Sequence, residues 1–207
     1  MQDDESPLAR AWDQAAAGYD DYFVPRFAPW VELAVQELGR DLPDGPILVP
    51  CCGTFPELPL LATAFPGRPI VGIDLSPGMV ARASARASSF PLAEAVVGDA
   101  VEVGPEWTGR CAAVVSVFGL QQLPDPPAAL ASWVGLLRPG GRLSVVYWPD
   151  VVEQEGPFAL SHRIRGRAAA DPDAARRAAE AIAYAGAEVT ADRAVSFPME
   201  HPDAATF

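Results

Sequence analysis

The sequence predicts a doubly wound α/β domain built on a mostly parallel sheet. Three observations predict it. Five short apolar runs recur, at 47–50, 70–74, 94–97, 112–117 and 142–148. Ala- and Leu-rich segments with helical spacing separate them. Four of the helical segments open on a capping residue followed by proline. Apolar runs without alternation suit strands buried on both faces of a parallel sheet. Strand and helix alternating at this interval places helices on both sides.

The elements follow in chain order. Ser6-Pro7, Ser76-Pro77, Asp125-Pro126 and Asp171-Pro172 each put an N-cap oxygen before a proline at the first helical position. In the first helix Trp30, Leu33, Ala34 and Leu38 share one face, and Gly39 ends it. A Pro-Gly-Gly turn at 139–141 leads into the fifth strand. A helix over roughly 172–185 is capped by Gly186. Val189, Ala191 and Val195 then alternate as a sixth strand would.

Bulk composition removes several function classes. The 207 residues are 50% hydrophobic, enough for one sizeable core in one domain. A formal charge of −12 repels polyanions, so no nucleic-acid partner is expected. The dense basic stretch 162–167, with Arg176 and Arg177, reads as a solvated helix face. Three cysteines form no disulfide framework, and the adjacent Cys51 and Cys52 are poorly placed to bridge each other. A reduced, cytoplasmic setting is expected. No metal site is expected, because there is no CxxC pair and His162 and His201 are far apart in sequence. The acidic start MQDDESPLAR is unlike a secretory signal, and no apolar run approaches a membrane span. Abundant Ala, Pro, Gly and Arg with a near absence of Lys point to a GC-rich bacterial source.

The chemistry-bearing stretches lie at strand ends. In "PIVGIDLSPGMVARA" a buried strand ends in Asp74, 21 residues after Gly53. An acidic residue there accepts hydrogen bonds from both hydroxyls of a ribose in nucleotide-binding α/β folds. A nicotinamide-dependent dehydrogenase shows the same acid. In "AVVGDAVEV", Asp99 and Ala100 end the next strand, where a carboxylate and a following N–H can grip an adenine edge. "ILVPCCGTFPEL" gives the first strand and its turn. "AAVVSVFGLQQLPDPPAALASWVGLLRPGGRLSVVYW" supplies a strand, a loop at Phe118, a capped helix and a further strand.

In this order and spacing, the four stretches resemble the class I S-adenosylmethionine-dependent methyltransferases. The likeness is to the small-molecule branch of the ubiquinone and menaquinone biosynthesis enzymes, and covers roughly 11–207. "AWDQAAAGYDDYF" resembles that branch's N-terminal helix, whose Tyr-Asp pair, here Tyr19-Asp20, forms part of a lid near the cofactor. The resemblance implies a single domain over 1–207: a helical lid at 1–40, a cofactor-binding core at 41–150, and a substrate-side and sixth-strand region at 151–207. It also implies a final antiparallel edge strand, for which the chain has no sequence. That edge could be completed by a second copy in a homodimer.

The resemblance assigns the cofactor S-adenosylmethionine, and its product S-adenosylhomocysteine, to particular residues. Asp74 binds the ribose hydroxyls and Asp99 the adenine amine. Leu75, Met79 and Ala100 line the adenine slot. Cys51, Cys52, Gly53 and Thr54 pass under the methionyl part, with Tyr19 over it. Val117, Phe118 and Gln122 lie beside the sulfonium. Met79 and Phe118 also read as plain core residues.

The first turn departs from the family's pattern. Val49 stands where the family has a strand Asp, and Cys51 and Phe55 stand where it has glycines. Glycine serves such a turn by allowing positive φ and close approach to the ligand. A Cβ at position 51 is tolerated if φ stays negative, and Phe55 is expected to pack away from the ligand or narrow the site. Pro50 is acceptable at a strand end, where it removes one N–H.

Methyl transfer from a sulfonium needs alignment and desolvation, and needs a base only if the acceptor must lose a proton. Tyr19 and His162 are the candidate catalytic groups, with Tyr22 and His201 behind them. Neither Cys51 nor Cys52 has an identifiable partner base. The expected activity is methyl transfer to a small organic acceptor, of a flat aromatic or secondary-metabolite kind. Trp12, Tyr19, Tyr22, Phe23, Trp30, Trp148 and Phe158 suggest that preference. The alternative is a methyltransferase-like protein without turnover that binds a ligand or partner.

Overall fold

The computed structural model describes residues 7–148 and 173–199. Among these, ten regular elements run in chain order: α1 (Pro7–Gln36), β1 (Ile47–Pro50), α2 (Leu58–Ala64), β2 (Ile70–Asp74), α3 (Pro77–Ala87), β3 (Ala93–Val97), β4 (Cys111–Val117), α4 (Pro126–Leu136), β5 (Leu137–Val146) and α5 (Ala174–Tyr184). Five strands form one parallel sheet in the order β3-β2-β1-β4-β5. The order reverses between β1 and β4, so the crevice at their carboxyl ends is the topological switch point, where such sheets bind ligands.

The sheet is buried where the sequence is most apolar. All of β1 and β4 is buried. One cluster lies on the α1 side, with Ile47, Val49, Phe55, Leu58, Leu61 and Trp30. The other lies on the α4 side, with Leu48, Val71, Val114, Leu130 and Trp133. Trp133 is fully buried, and its indole N–H donates to the Ala100 carbonyl at 2.8 Å, tying α4 to the loop after β3. On the α1 side the Ser144 hydroxyl donates to the Ala34 carbonyl at 2.8 Å, fixing α1 to β5. β3 is an open edge, with Val96 and Val97 exposed.

The helix starts act as their sequences predict. The Ser76 hydroxyl accepts from Met79 N–H at 3.1 Å, and Asp125 accepts from Ala128 N–H at 3.0 Å. Gly39 at φ +67° closes α1. Helix α5 begins at Ala174 after Asp173, two residues beyond the predicted start. The predicted caps at Ser6 and Asp171 lie outside the described residues. Arg176 pairs with Asp173 at 3.3 Å and Glu180 at 2.7 Å on an exposed face, while 162–167 lies outside the described residues. The Pro-Gly-Gly turn is an irregularity within β5, whose pairing shifts between Cys111–Leu137 and Ala113–Arg142.

The predicted sixth strand is a correction. Residues 187–199 form no strand. Most of 187–194 is exposed, so nothing there gains from burial. Val189 and Ala191 instead line a groove of about 620 Å³ beside β5 and α5, together with Leu137, Tyr147 and Ile182. The alternation is real further on. Val195, Phe197 and Met199 turn inward against the α1-side core, with Phe197 5.0 Å from Trp30. Among the described residues no helix is long and apolar enough to cross a membrane.

Removing the Trp133 indole donor isolates a buried carbonyl. Trp133→Phe is expected to cost about 1–2 kcal/mol, measured by urea denaturation.

Candidate active site at the switch point

The turn after β1 is held open by its backbone. Cys51, Gly53 and Phe55 all have positive φ, at +56°, +52° and +65°. The condition that φ at Cys51 stay negative is therefore not met. The chain holds the left-handed conformation with side chains in place, at a cost of about 1–3 kcal/mol per residue. Glycines in β2 and just after β4 make room for those side chains. A Cβ at Gly119 would collide with the Cys51 Cβ. A Cβ at Gly72 would lie 2.9 Å from the Phe55 ring and 2.8 Å from the Cys52 Sγ. Phe55 is fully buried in the α1-side core, so it packs away from the crevice.

Asp74 locks this turn to β2 and α3. Its Oδ2 accepts from Gly53 N–H at 2.8 Å and its Oδ1 from Ser76 N–H at 3.0 Å. Burial raises its pKa, opposed by these backbone N–H groups. Helix α1 closes over the arrangement. Asp13 accepts from the Ser76 hydroxyl and from Gly78 N–H at 2.7 Å. Asp20 pairs with Arg82 and Arg86, each at 3.2 Å, and Arg86 also donates to the Thr54 carbonyl. Burial raises the Asp20 pKa, but the guanidiniums of Arg86 and Arg82 paired with it help to hold the carboxyl low.

The remaining predicted residues fall as follows. Tyr19 is mostly buried, with its ring in a chain of contacts from Trp12 (5.9 Å) to Phe23 (5.4 Å) and Phe27 (6.4 Å). Burial, then the charges of Glu57, Asp74 and Asp20, push its phenol well above its ordinary value. Such a phenol donates a hydrogen bond and is not a base at neutral pH, which counts against Tyr19 as the proton acceptor. Burial pushes the Cys51 thiol up to about 12, so the thiolate is scarce there as well. Met79 and Ala100 are buried, whereas Leu75 is exposed. Asp99 is exposed, and its Oδ1 accepts from Val101 N–H at 2.7 Å. Val117 and Phe118 are buried at the end of β4. Phe118 has φ +57°, stacks on Trp148 at 4.9 Å and meets Phe27 at 4.5 Å. Gln122 is exposed; the inward amide is Gln121, whose Nε2 donates to the Phe118 carbonyl at 2.7 Å. His162, His201 and Phe158 lie outside the described residues.

Sequence reasoning missed Asp13, Glu57, Arg86 and Gln121. For Arg86 a signal existed, since Arg82 and Arg86 share one face of α3 at i, i+4. Glu57 ends the turn, is 3% exposed, and has one oxygen, Oε2, without a hydrogen-bond partner among the described residues. Burial raises its pKa to about 8 from an ordinary 4.5.

The parallel order, the switch-point turn and the aspartates ending β2 and following β3 give the chain the fold of methyltransferase domains. Residues 48–145 match the family described as "Methyltransferase domain". The chain is 34% identical over 136 residues to the 2-phytyl-1,4-naphtoquinone methyltransferase of Thermosynechococcus vestitus, covering 65% of this chain and 56% of that one. It is 34% identical over 132 residues to the trans-aconitate 2-methyltransferase of Methylobacterium nodulans, covering 64% and 47%. It thus spans about half the length of these curated relatives. A geranyl diphosphate methyltransferase solved with S-adenosylmethionine has the same fold, with TM-score 0.58 at 19% identity over 75% of this chain and 63% of that one.

Two outcomes test the local physics. Gly119→Ala is expected to cost about 1–3 kcal/mol by overpacking. In a Cys51→Gly background the same change should cost clearly less, as a double-mutant cycle of denaturation energies would show. For Glu57, the folded chain keeps the proton up to about pH 8 and the unfolded chain only to about 4.5. Its contribution is therefore complete below pH 4.5 and is lost as pH rises through 8. Glu57→Gln should gain on the parent by a few kcal/mol, to order of magnitude, between melts at pH 5 and pH 9.

Proposed function

We propose that this chain transfers a methyl group from S-adenosylmethionine to a small apolar acceptor. The observation that carries the reading is Asp74, which ends β2 at the switch point while its two oxygens hold Gly53 and Ser76 N–H. The residues present fit this cofactor. The turn keeps positive φ at all three positions where the family uses glycine, and a buried carboxylate oxygen of Glu57 awaits a donor. When bound, the cofactor supplies an electrophilic methyl group on a sulfonium.

The protein's part is to bind, orient and exclude water. Each Asp74 oxygen accepts one N–H, which leaves a lone pair for a ribose hydroxyl. Asp99 keeps Oδ2 for an exocyclic amine, and buried Met79 and Ala100 form apolar walls for a purine. Phe118, Phe27, Trp30 and Trp148 make a continuous aromatic wall at the end of β4. A dry, flat-sided wall favours a flat apolar acceptor, in keeping with the naphthoquinone substrate in the name of one relative. Desolvation beside that wall supports attack on a sulfonium, whose charge is dispersed in the transition state. Tyr19, with its raised pKa, orients by donating a hydrogen bond. This chemistry suits an acceptor that brings its own nucleophilic electron pair.

Calorimetric titration of S-adenosylmethionine tests the reading. The parent should bind, and Asp74→Ala should bind at least tenfold more weakly, with Asp99→Ala affected less. No heat from a folded parent would overturn it. Binding without methyl transfer to a quinol, phenol and carboxylate panel would favour the reading without turnover.

A further inference from the structure

The buried carboxylate at the end of the first turn is the feature that the site as described leaves unused. Glu57 is 3% exposed, and its Oε2 has no hydrogen-bond partner among the described residues. A buried carboxyl group with one oxygen unpartnered costs free energy if it ionises, so such groups are rare unless something completes them. The surroundings show what is missing. Tyr19 of α1, Cys52 of the turn, Asp74 of β2 and Arg86 of α3 are the titratable groups that act on it or feel its charge. Only Arg86 is cationic, and its guanidinium is committed to Asp20 and the Thr54 carbonyl. Asp74 adds a second negative charge to the same crevice. Burial keeps Glu57 protonated to about pH 8. An ionised Glu57 is therefore left without a cation of its own. At the preceding strand end, Val49 is fully buried in the α1-side core and offers no acceptor of its own.

Resting on the reading that this crevice takes S-adenosylmethionine, we infer that Glu57 is the carboxylate that receives the cofactor's α-ammonium group. The turn from Cys51 to Phe55 passes beneath the methionyl part in that reading, and Glu57 is the next buried polar side chain along the chain. The ammonium is the one full cation on the ligand besides the sulfonium, and it carries three donors for the orphaned oxygen. On binding, Glu57 gives up its proton to solvent and ion-pairs with the ammonium.

Three measurements on the whole chain test this. The parent should bind S-adenosylmethionine with release of close to one proton at pH 7, read from binding heats in phosphate and in Tris. Glu57→Gln should bind it at least tenfold more weakly and release no proton. Affinity of either protein for 5′-methylthioadenosine, which keeps the adenosine but lacks the ammonium, should be equal, which also certifies that the variant is folded. If Glu57→Gln does not fold, the parent alone decides. Its affinity for S-adenosylmethionine should rise severalfold between pH 6 and 7.5, while that for 5′-methylthioadenosine follows only Asp74 and changes less. Tight binding with the same affinity and proton release in Glu57→Gln would overturn the inference. So would equal pH dependence for the two ligands, or a variant that loses methyl transfer while binding the cofactor as the parent does. A parent that binds neither ligand would instead overturn the cofactor reading on which it rests.

Discussion

The Asp74 carboxylate joins the turn after β1, the end of β2 and the start of α3. One oxygen holds the backbone of the turn after β1, and the other holds the N-cap residue of the next helix. Parallel pairing of β1 with β2, from Ile47–Ile70 to Pro50–Ile73, brings these partners level. Ser76, fixed by that bond, then caps α3 and offers its hydroxyl to Asp13 of α1. Turn, helix start and roof are thus assembled around one side chain. The arrangement needs a carboxylate, since an amide would present a donor to at least one of the two N–H groups.

The turn also shows that a glycine pattern is a constraint on space and backbone rather than on residue identity. Cys51 and Phe55 occupy left-handed conformations because the atoms they would strike have been removed elsewhere, at Gly119 and Gly72. Space lost on one strand end is returned on its neighbours. Phe55 adds a large buried apolar surface, and burying an aromatic side chain is worth enough to offset the backbone cost.

Much of this was legible in the sequence, for identifiable reasons. The five strands were readable because β1, β2 and β4 are buried on both faces and so are written as unbroken apolar runs. Ser76 and Asp125 were readable because an N-cap before proline is a local signal. Asp74 and Asp99 were readable from their places after strands. The sign of φ at Cys51 was not, because it depends on Gly119, 68 residues away in the chain. Nor was the fate of the last segment, whose alternation specified an inward face without naming the partner; Phe197 chose Trp30 over the sheet edge. Asp13 and Glu57 were hidden for a similar reason. An acid on an amphipathic helix and another in a proline-flanked turn look solvated until the tertiary contacts place them.

Helix α1 is anchored by charge and hydrogen bonding to α3 at two points, one turn of α3 apart or more: Asp13 at its cap, and Asp20 on Arg82 and Arg86. Both acids lie on the same stretch of α1, and the Asp20 pairs are partly exposed to solvent. Dissolved salt weakens such pairs. Lifting this stretch of the helix would uncover the turn, Asp74 and Glu57 together. Rising ionic strength therefore loosens the hold of α1 on α3 through Asp20, while the aromatic contacts of the same helix, which carry no charge, are left unweakened.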